Sequence, residues 1–72
     1  MTKDELIADM ESKSFFGGWI TEEQEYGDGE PDGTKYYRRS YWKESEKVMT
    51  ASSVDYGVKS NGICKYKGQE PV

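Results

Sequence analysis

The sequence predicts an α+β fold, with one N-terminal helix packed on a three- to four-stranded antiparallel meander sheet. Three observations carry this reading. A capping box at Thr2–Glu5 opens a short amphipathic segment. Tyr-, Val- and Thr-bearing runs separated by Gly-, Asp- and Asn-rich turns follow it. Lys35-Tyr36-Tyr37-Arg38-Arg39-Ser40-Tyr41-Trp42-Lys43 gathers four of the chain's aromatic side chains and four of its cations into one strand-like stretch, so the sheet must be organised around it.

Seventy-two residues amount to a single small domain, 1–72, near the size at which one core leaves little net stability. With 33% hydrophobic and 33% charged residues and a mean hydropathy of -1.01, the composition borders on that of disordered chains. Aromatic residues, 14% of the total, argue for folding, because each buries roughly 150–250 Å². So small a core predicts a monomer or a weak homodimer, dimerisation being one way to enlarge it. Cys64 stands alone and there is no histidine, which excludes an intramolecular disulfide framework and a zinc site of ordinary ligands. A reducing, cytoplasmic setting fits. The N-terminus lacks the cationic segment and apolar run of a secretory signal, and no apolar stretch approaches the roughly 20 residues of a membrane helix.

The elements follow in order. Thr2-Lys3-Asp4-Glu5 is a capping box, and Leu6, Ile7 and Met10 fall on one stripe of a helix over about 3–14. Gly17-Gly18 is expected to end it and turn the chain, with Phe15-Phe16 folding back onto the core. Trp19–Tyr26 reads as a strand. Gly27-Asp28-Gly29-Glu30-Pro31-Asp32-Gly33 is dense in turn residues and reads as a hairpin loop. Strands are expected over about 35–44, 48–56 and 63–67, the first two joined by a tight polar turn at Glu44-Ser45-Glu46-Lys47. The tail, 68–72, is expected to fray.

Charge divides the chain. Residues 1–32 carry ten acids against Lys3 and Lys13, and residues 33–72 carry eight cations against Glu44, Glu46, Asp55 and Glu70. Centring the first hairpin near Glu30-Pro31 sets Trp19 opposite Trp42, Thr21 opposite Ser40, Glu23 opposite Arg38, Ile20 opposite Tyr41 and Glu22 opposite Arg39. That register neutralises the two halves against each other without any ligand, each pair contributing roughly 0.2–1 kcal/mol.

Two binding functions survive this reading. The first is a small protein-binding module that occupies a partner's basic surface, as an inhibitor or accessory factor of the kind mobile elements encode would. Its contacts are Glu22, Glu23, Glu25, Asp28, Glu30 and Asp32, whose spaced carboxylates can imitate nucleic acid phosphates, together with Tyr37 and Tyr41 as aromatic anchors. The alternative is single-stranded nucleic acid, stacked and neutralised by Tyr37, Arg39, Tyr41 and Lys43, which alternate onto one face of Tyr36–Lys43. Overall acidity and the neighbouring glutamates weigh against it. The segment Asp28–Gly33 resembles the opening of an EF-hand calcium loop, but Arg39 stands where the bidentate glutamate belongs, the flanks read as strands, and Pro31 interrupts the loop. No metal, cofactor or membrane is implied. An enzyme is not indicated: no nucleophile setting and no phosphate-binding glycine loop is present, and the paired carboxylates lie in polar stretches where nothing separates their pKa values. No motif identifies a family.

Overall fold

Thr2 starts the helix as the capping box requires: its hydroxyl accepts from the Glu5 amide at 3.2 Å and the Glu5 carboxylate accepts from the Thr2 amide at 2.8 Å. In the computed structural model, which describes residues 1–68, helix α1 spans Lys3–Glu11 with Ser12 as its C-cap. It is shorter than the expected 3–14, because Ser12 turns its hydroxyl back to the Asp9 carbonyl and ends the ladder. Leu6 and Met10, one turn apart, are fully buried.

Five strands follow: β1 (Phe16–Trp19), β2 (Gln24–Tyr26), β3 (Lys35–Ser45), β4 (Val48–Val58) and β5 (Cys64–Tyr66). They form one antiparallel sheet in the order β1-β3-β4-β5, with β2 pairing the other half of the β3 edge that β1 occupies. The expected strand 19–26 is therefore corrected to two short strands along β3, and Gly17-Gly18 lies inside β1 instead of ending the helix. Gly18 adopts φ +118°, a left-handed conformation that glycine tolerates without strain, and the register shifts between Phe16 and Trp19.

That bulge corrects the trial register. Trp19 pairs with Tyr41, and Gln24, Glu25 and Tyr26 pair with Arg38, Tyr37 and Tyr36. Between them Thr21 does meet Ser40, accepting from its amide at 3.1 Å through the side-chain hydroxyl. Each flank is thus offset by one residue from the trial pairing, in opposite directions, which transfers side chains to the opposite face. The expected Trp19–Trp42 and Glu23–Arg38 pairs do not form.

β3 and β4 pair along their full eleven residues, so this hairpin spans the long dimension of a molecule 43 × 21 × 20 Å in extent. Its two-residue turn holds Glu46 at φ +49° and Lys47 at φ +68°, the backbone of a type I′ turn in residues that do not favour it. A two-residue turn dictates which residues share a face: Tyr37, Arg39, Tyr41 and Lys43 lie with Ser52, Val54, Tyr56 and Val58, while Tyr36, Arg38, Ser40 and Trp42 lie with Ala51, Ser53, Asp55 and Gly57. The helix covers the first face.

The core beneath the helix is two adjoining clusters. Leu6, Tyr56 and Cys64 are packed by Tyr37, Val58 and Tyr66; Met10, Tyr41 and Val54 are packed by Phe15, Phe16, Trp19 and Tyr66. Aromatic contacts dominate, with Tyr37 stacked on Tyr56 at 5.9 Å and Trp19 edge-on to Tyr41 at 6.1 Å. Such pairs add about 0.5–1.5 kcal/mol each beyond the area they bury. No helix among the described residues is long and apolar enough to cross a membrane. The expected frayed tail lies, beyond Gly68, outside the described residues.

Candidate functional site

Three of the sequence-predicted site residues serve the fold. Tyr41 is 1% exposed, so its ring offers no face to a protein or a base, which corrects both expected contact sets. The reason is parity, since Tyr41 falls on the same face as Val54 and Tyr56 of β4, beneath the helix and its Met10. Glu23 turns inward in the break between β1 and β2, accepting from Lys3 at 2.9 Å and from the Tyr56 hydroxyl at 2.7 Å. Burial raises its pKa, and those two hydrogen bonds with the Lys3 charge more than reverse the effect, leaving the carboxyl below its usual range. Burial, followed by the bond to Glu23, pushes the Tyr56 phenol well up. Arg39, its side chain 14% exposed, lies over the Trp19 ring at 4.1 Å and donates to the Thr21 carbonyl at 3.1 Å. Its fixed position leaves the guanidinium little freedom to follow a phosphate backbone.

Tyr37 and Lys43 also belong to this covered face. Tyr37 is half-buried under Lys3, whose ammonium sits 5.4 Å from its ring, and Lys43 lies 5.4 Å from the Phe15 ring. The four residues proposed to stack and neutralise nucleic acid are thus brought together, but beneath or beside the helix.

The remaining acids form an exposed rim. Glu22 is almost fully exposed, 3.7 Å from Arg39, and Glu25 and Asp28 are exposed on β2 and in the loop after it. The loop is ordered by its own backbone: Glu30 donates to the Thr34 carbonyl at 2.8 Å and Gly33 to the Glu30 carbonyl at 3.0 Å. Pro31 and Asp32 sit at the centre of that turn, as their residue types favour. Gly33 follows at φ +93°. The Glu30 carboxylate accepts from the Tyr36 hydroxyl at 2.8 Å, and Asp32 accepts from the Thr34 amide at 2.9 Å, which holds the Asp32 carboxyl below its usual range. Among the described residues no three His, Cys, Asp or Glu side chains converge.

The face opposite the helix is covered by no other described element and was not singled out from the sequence. Trp42 and Met49 are 43% and 50% exposed there. The Met49 thioether lies against the Gly17 backbone, where a Cβ would meet it at 2.8 Å. Further along, Tyr36 spreads over Gly57, and its ring stands 6.4 Å from that of Tyr26. Cations flank the pair: Lys67 is 4.1 Å from the Tyr36 ring centre and Arg38 is 5.0 Å from that of Tyr26. Arg38 donates twice to Asp55, at 2.8 and 2.9 Å, and that bond holds the Asp55 carboxyl below its usual range. An open cleft of about 770 Å³ runs between the acidic loop and the β5 side, lined by Glu30, Asp32, Tyr36, Gly57, Lys65 and Lys67.

The signal that could have found this face was in the sequence. Val54, Tyr56 and Val58 mark the core side of β4, and a two-residue turn at Glu46-Lys47 assigns Trp42 and Tyr36 to the other side. Cys64, 2% exposed, has its thiol pKa raised by burial and is not set up as a nucleophile. Comparison with protein-family models, with curated proteins and with solved structures finds no match in any of the three.

Proposed function

We propose that this chain is a protein-binding module acting by surface occupation, with the uncovered sheet face as its contact and the acidic loop as its steering element. The observation that carries the reading is the exposure of Trp42 and Met49 on a face that no other described element covers, in a chain whose mean hydropathy is -1.01. Rigid aromatic anchors provide most of the energy at such surfaces, while rim charges mainly set association rate and salt dependence. Asp28, Glu30 and Asp32 of the loop supply that rim and favour a basic partner, whereas Glu22, beside Arg39, and Glu25, opposite Tyr37, stand on the helix side of the sheet. Immobilised protein in extract of its source cells tests the reading. Trp42→Ser should release the captured partner faster, by about tenfold or more in Kd. Asp28→Asn with Glu30→Gln and Asp32→Asn should slow association and flatten its salt dependence. Capture that is unchanged by both variants refutes the proposal.

A second reading rests on the Tyr26–Tyr36 pair flanked by Arg38 and Lys67, a set of rings and cations suited to single-stranded nucleic acid. It differs in every residue from the set the sequence suggested. Electrophoretic titration with oligonucleotides at low salt tests it, and Tyr36→Ala with Lys67→Ala should abolish any shift. No binding at low salt removes this reading.

A further inference from the structure

The outer edge of β4 is longer than the strand that covers it. β5 pairs only with Tyr56, Gly57 and Val58, and the Lys67 amide adds one bond to the Asp55 carbonyl at 2.9 Å. Hydrogen-bonded and non-bonded positions alternate along an antiparallel ladder. The turn at Glu46-Lys47 and the Asp55–Lys67 bond agree that the odd-numbered residues of β4 aim their amides and carbonyls away from β3. Met49, Ala51 and Ser53 therefore present outward N–H and C=O groups that no described residue satisfies. The segment Val48-Met49-Thr50-Ala51-Ser52-Ser53-Val54 carries no charge and no proline in a chain that is one-third charged. All of Val48–Ser53 except Ser52 is exposed. Edge strands of folded proteins are normally protected by charge, proline, a bulge or cover, and among the described residues this segment has none of them.

We infer that this edge pairs antiparallel with the same edge of a second copy of the chain, about a twofold axis at Ala51, joining two sheets into one. The segment is self-complementary in that register. Ala51 meets Ala51, Met49 meets Ser53, Thr50 meets Ser52, and Val48 lies beside Val54 at the border of the Met10–Tyr41 cluster. Small side chains at the centre allow close approach from both sides of the sheet, and a ladder so short makes a weak, concentration-dependent dimer. The pairing leaves Trp42 and the acidic loop free, and it presents two copies of the proposed contact face side by side.

Because Ala51 faces itself across the axis, a charge placed there reads the register directly. Sedimentation equilibrium of the full chain should show the mass rising toward that of a dimer with concentration. Ala51→Lys alone and Ala51→Glu alone should each remain monomeric, and an equimolar mixture of the two should associate. Ala51 is exposed, so both variants should keep the wild-type circular dichroism. Amide exchange provides a second readout: the Ala51 and Ser53 amides should slow by about tenfold or more between dilute and concentrated wild-type protein, while those of Thr50 and Ser52, already bonded to β3, should not change. A wild-type chain that stays monomeric at every concentration overturns the proposal, and so does a dimer that survives both single variants or a mixture that fails to associate. If the chain is monomeric yet Ala51→Lys abolishes capture of a protein partner, the edge receives a strand of that partner instead.

Discussion

Glu23 shows how one residue can be legible as charged yet not as placed. Its carboxylate takes one bond from Lys3 and one from Tyr56, tying helix, sheet edge and core together. Tyr56→Phe should lower stability by about 1.5 kcal/mol, read from the urea midpoint. The pH dependence follows from the direction of each shift. Glu23, Asp55 and Asp9 all titrate below their usual range in the fold, Asp9 chiefly because the Tyr66 hydroxyl and then Lys13 bond to it. Their contribution is complete above the unfolded carboxylate value of about 4 and is lost as pH falls through the lower folded values. Tyr56 is raised, so its contribution is complete below about pH 10 and is lost as pH climbs beyond it. The thermal midpoint should therefore decline on both the acid and the alkaline side, and Glu23→Gln should flatten the acid limb; an unaltered acid limb contradicts the assignment. Sequence alone gave Glu23 to a partner because nothing local reveals that the break between β1 and β2 turns it inward.

At the scale of elements, what was local was readable. The capping box, the Leu6–Met10 stripe, the turn at Pro31-Asp32-Gly33 and the long central strand stand close to where the residues indicated, because each is decided by neighbours within a few positions. The divided first strand was not readable, since it breaks between Trp19 and Gln24, where Glu23 turns inward to Lys3 and Tyr56, contacts far away in sequence. Face assignment along β3 was open to inference through the Glu46-Lys47 turn, and following it would have put Tyr41 inside. Two predictions belong here. Replacing Glu46 by Asn and Lys47 by Gly fits residues to a backbone already in the left-handed region, and should raise stability by roughly 1 kcal/mol in chemical denaturation. Tyr41→Ala should cost about 3–5 kcal/mol, as large aromatic truncations in a core do, whereas Trp42→Ala, on the open face next door, should change stability far less. Equal losses at the two positions would mean that the faces are wrongly assigned.

Across the whole molecule, one ion pair among the described residues joins the acidic and basic halves of the sequence, Glu22 beside Arg39, while Lys3–Glu23, Lys13–Asp9 and Arg38–Asp55 each pair residues of the same half. The acids left over collect on the loop at one end. One helix cannot cover both faces of a sheet, and no other described element covers the second. The aromatic and basic strand that organises the fold thus divides its work, odd-numbered residues holding the core and even-numbered ones facing outward with Trp42 among them. Partner identity was never legible, because exposure and charge describe a surface without naming its complement. The most direct measurement is quantitative capture from source-cell extract by wild-type protein and by Trp42→Ser in parallel. Proteins should be retained by the wild type and lost from a variant that is still folded; an identical set retained by both would contradict the assignment of the open face as the contact surface.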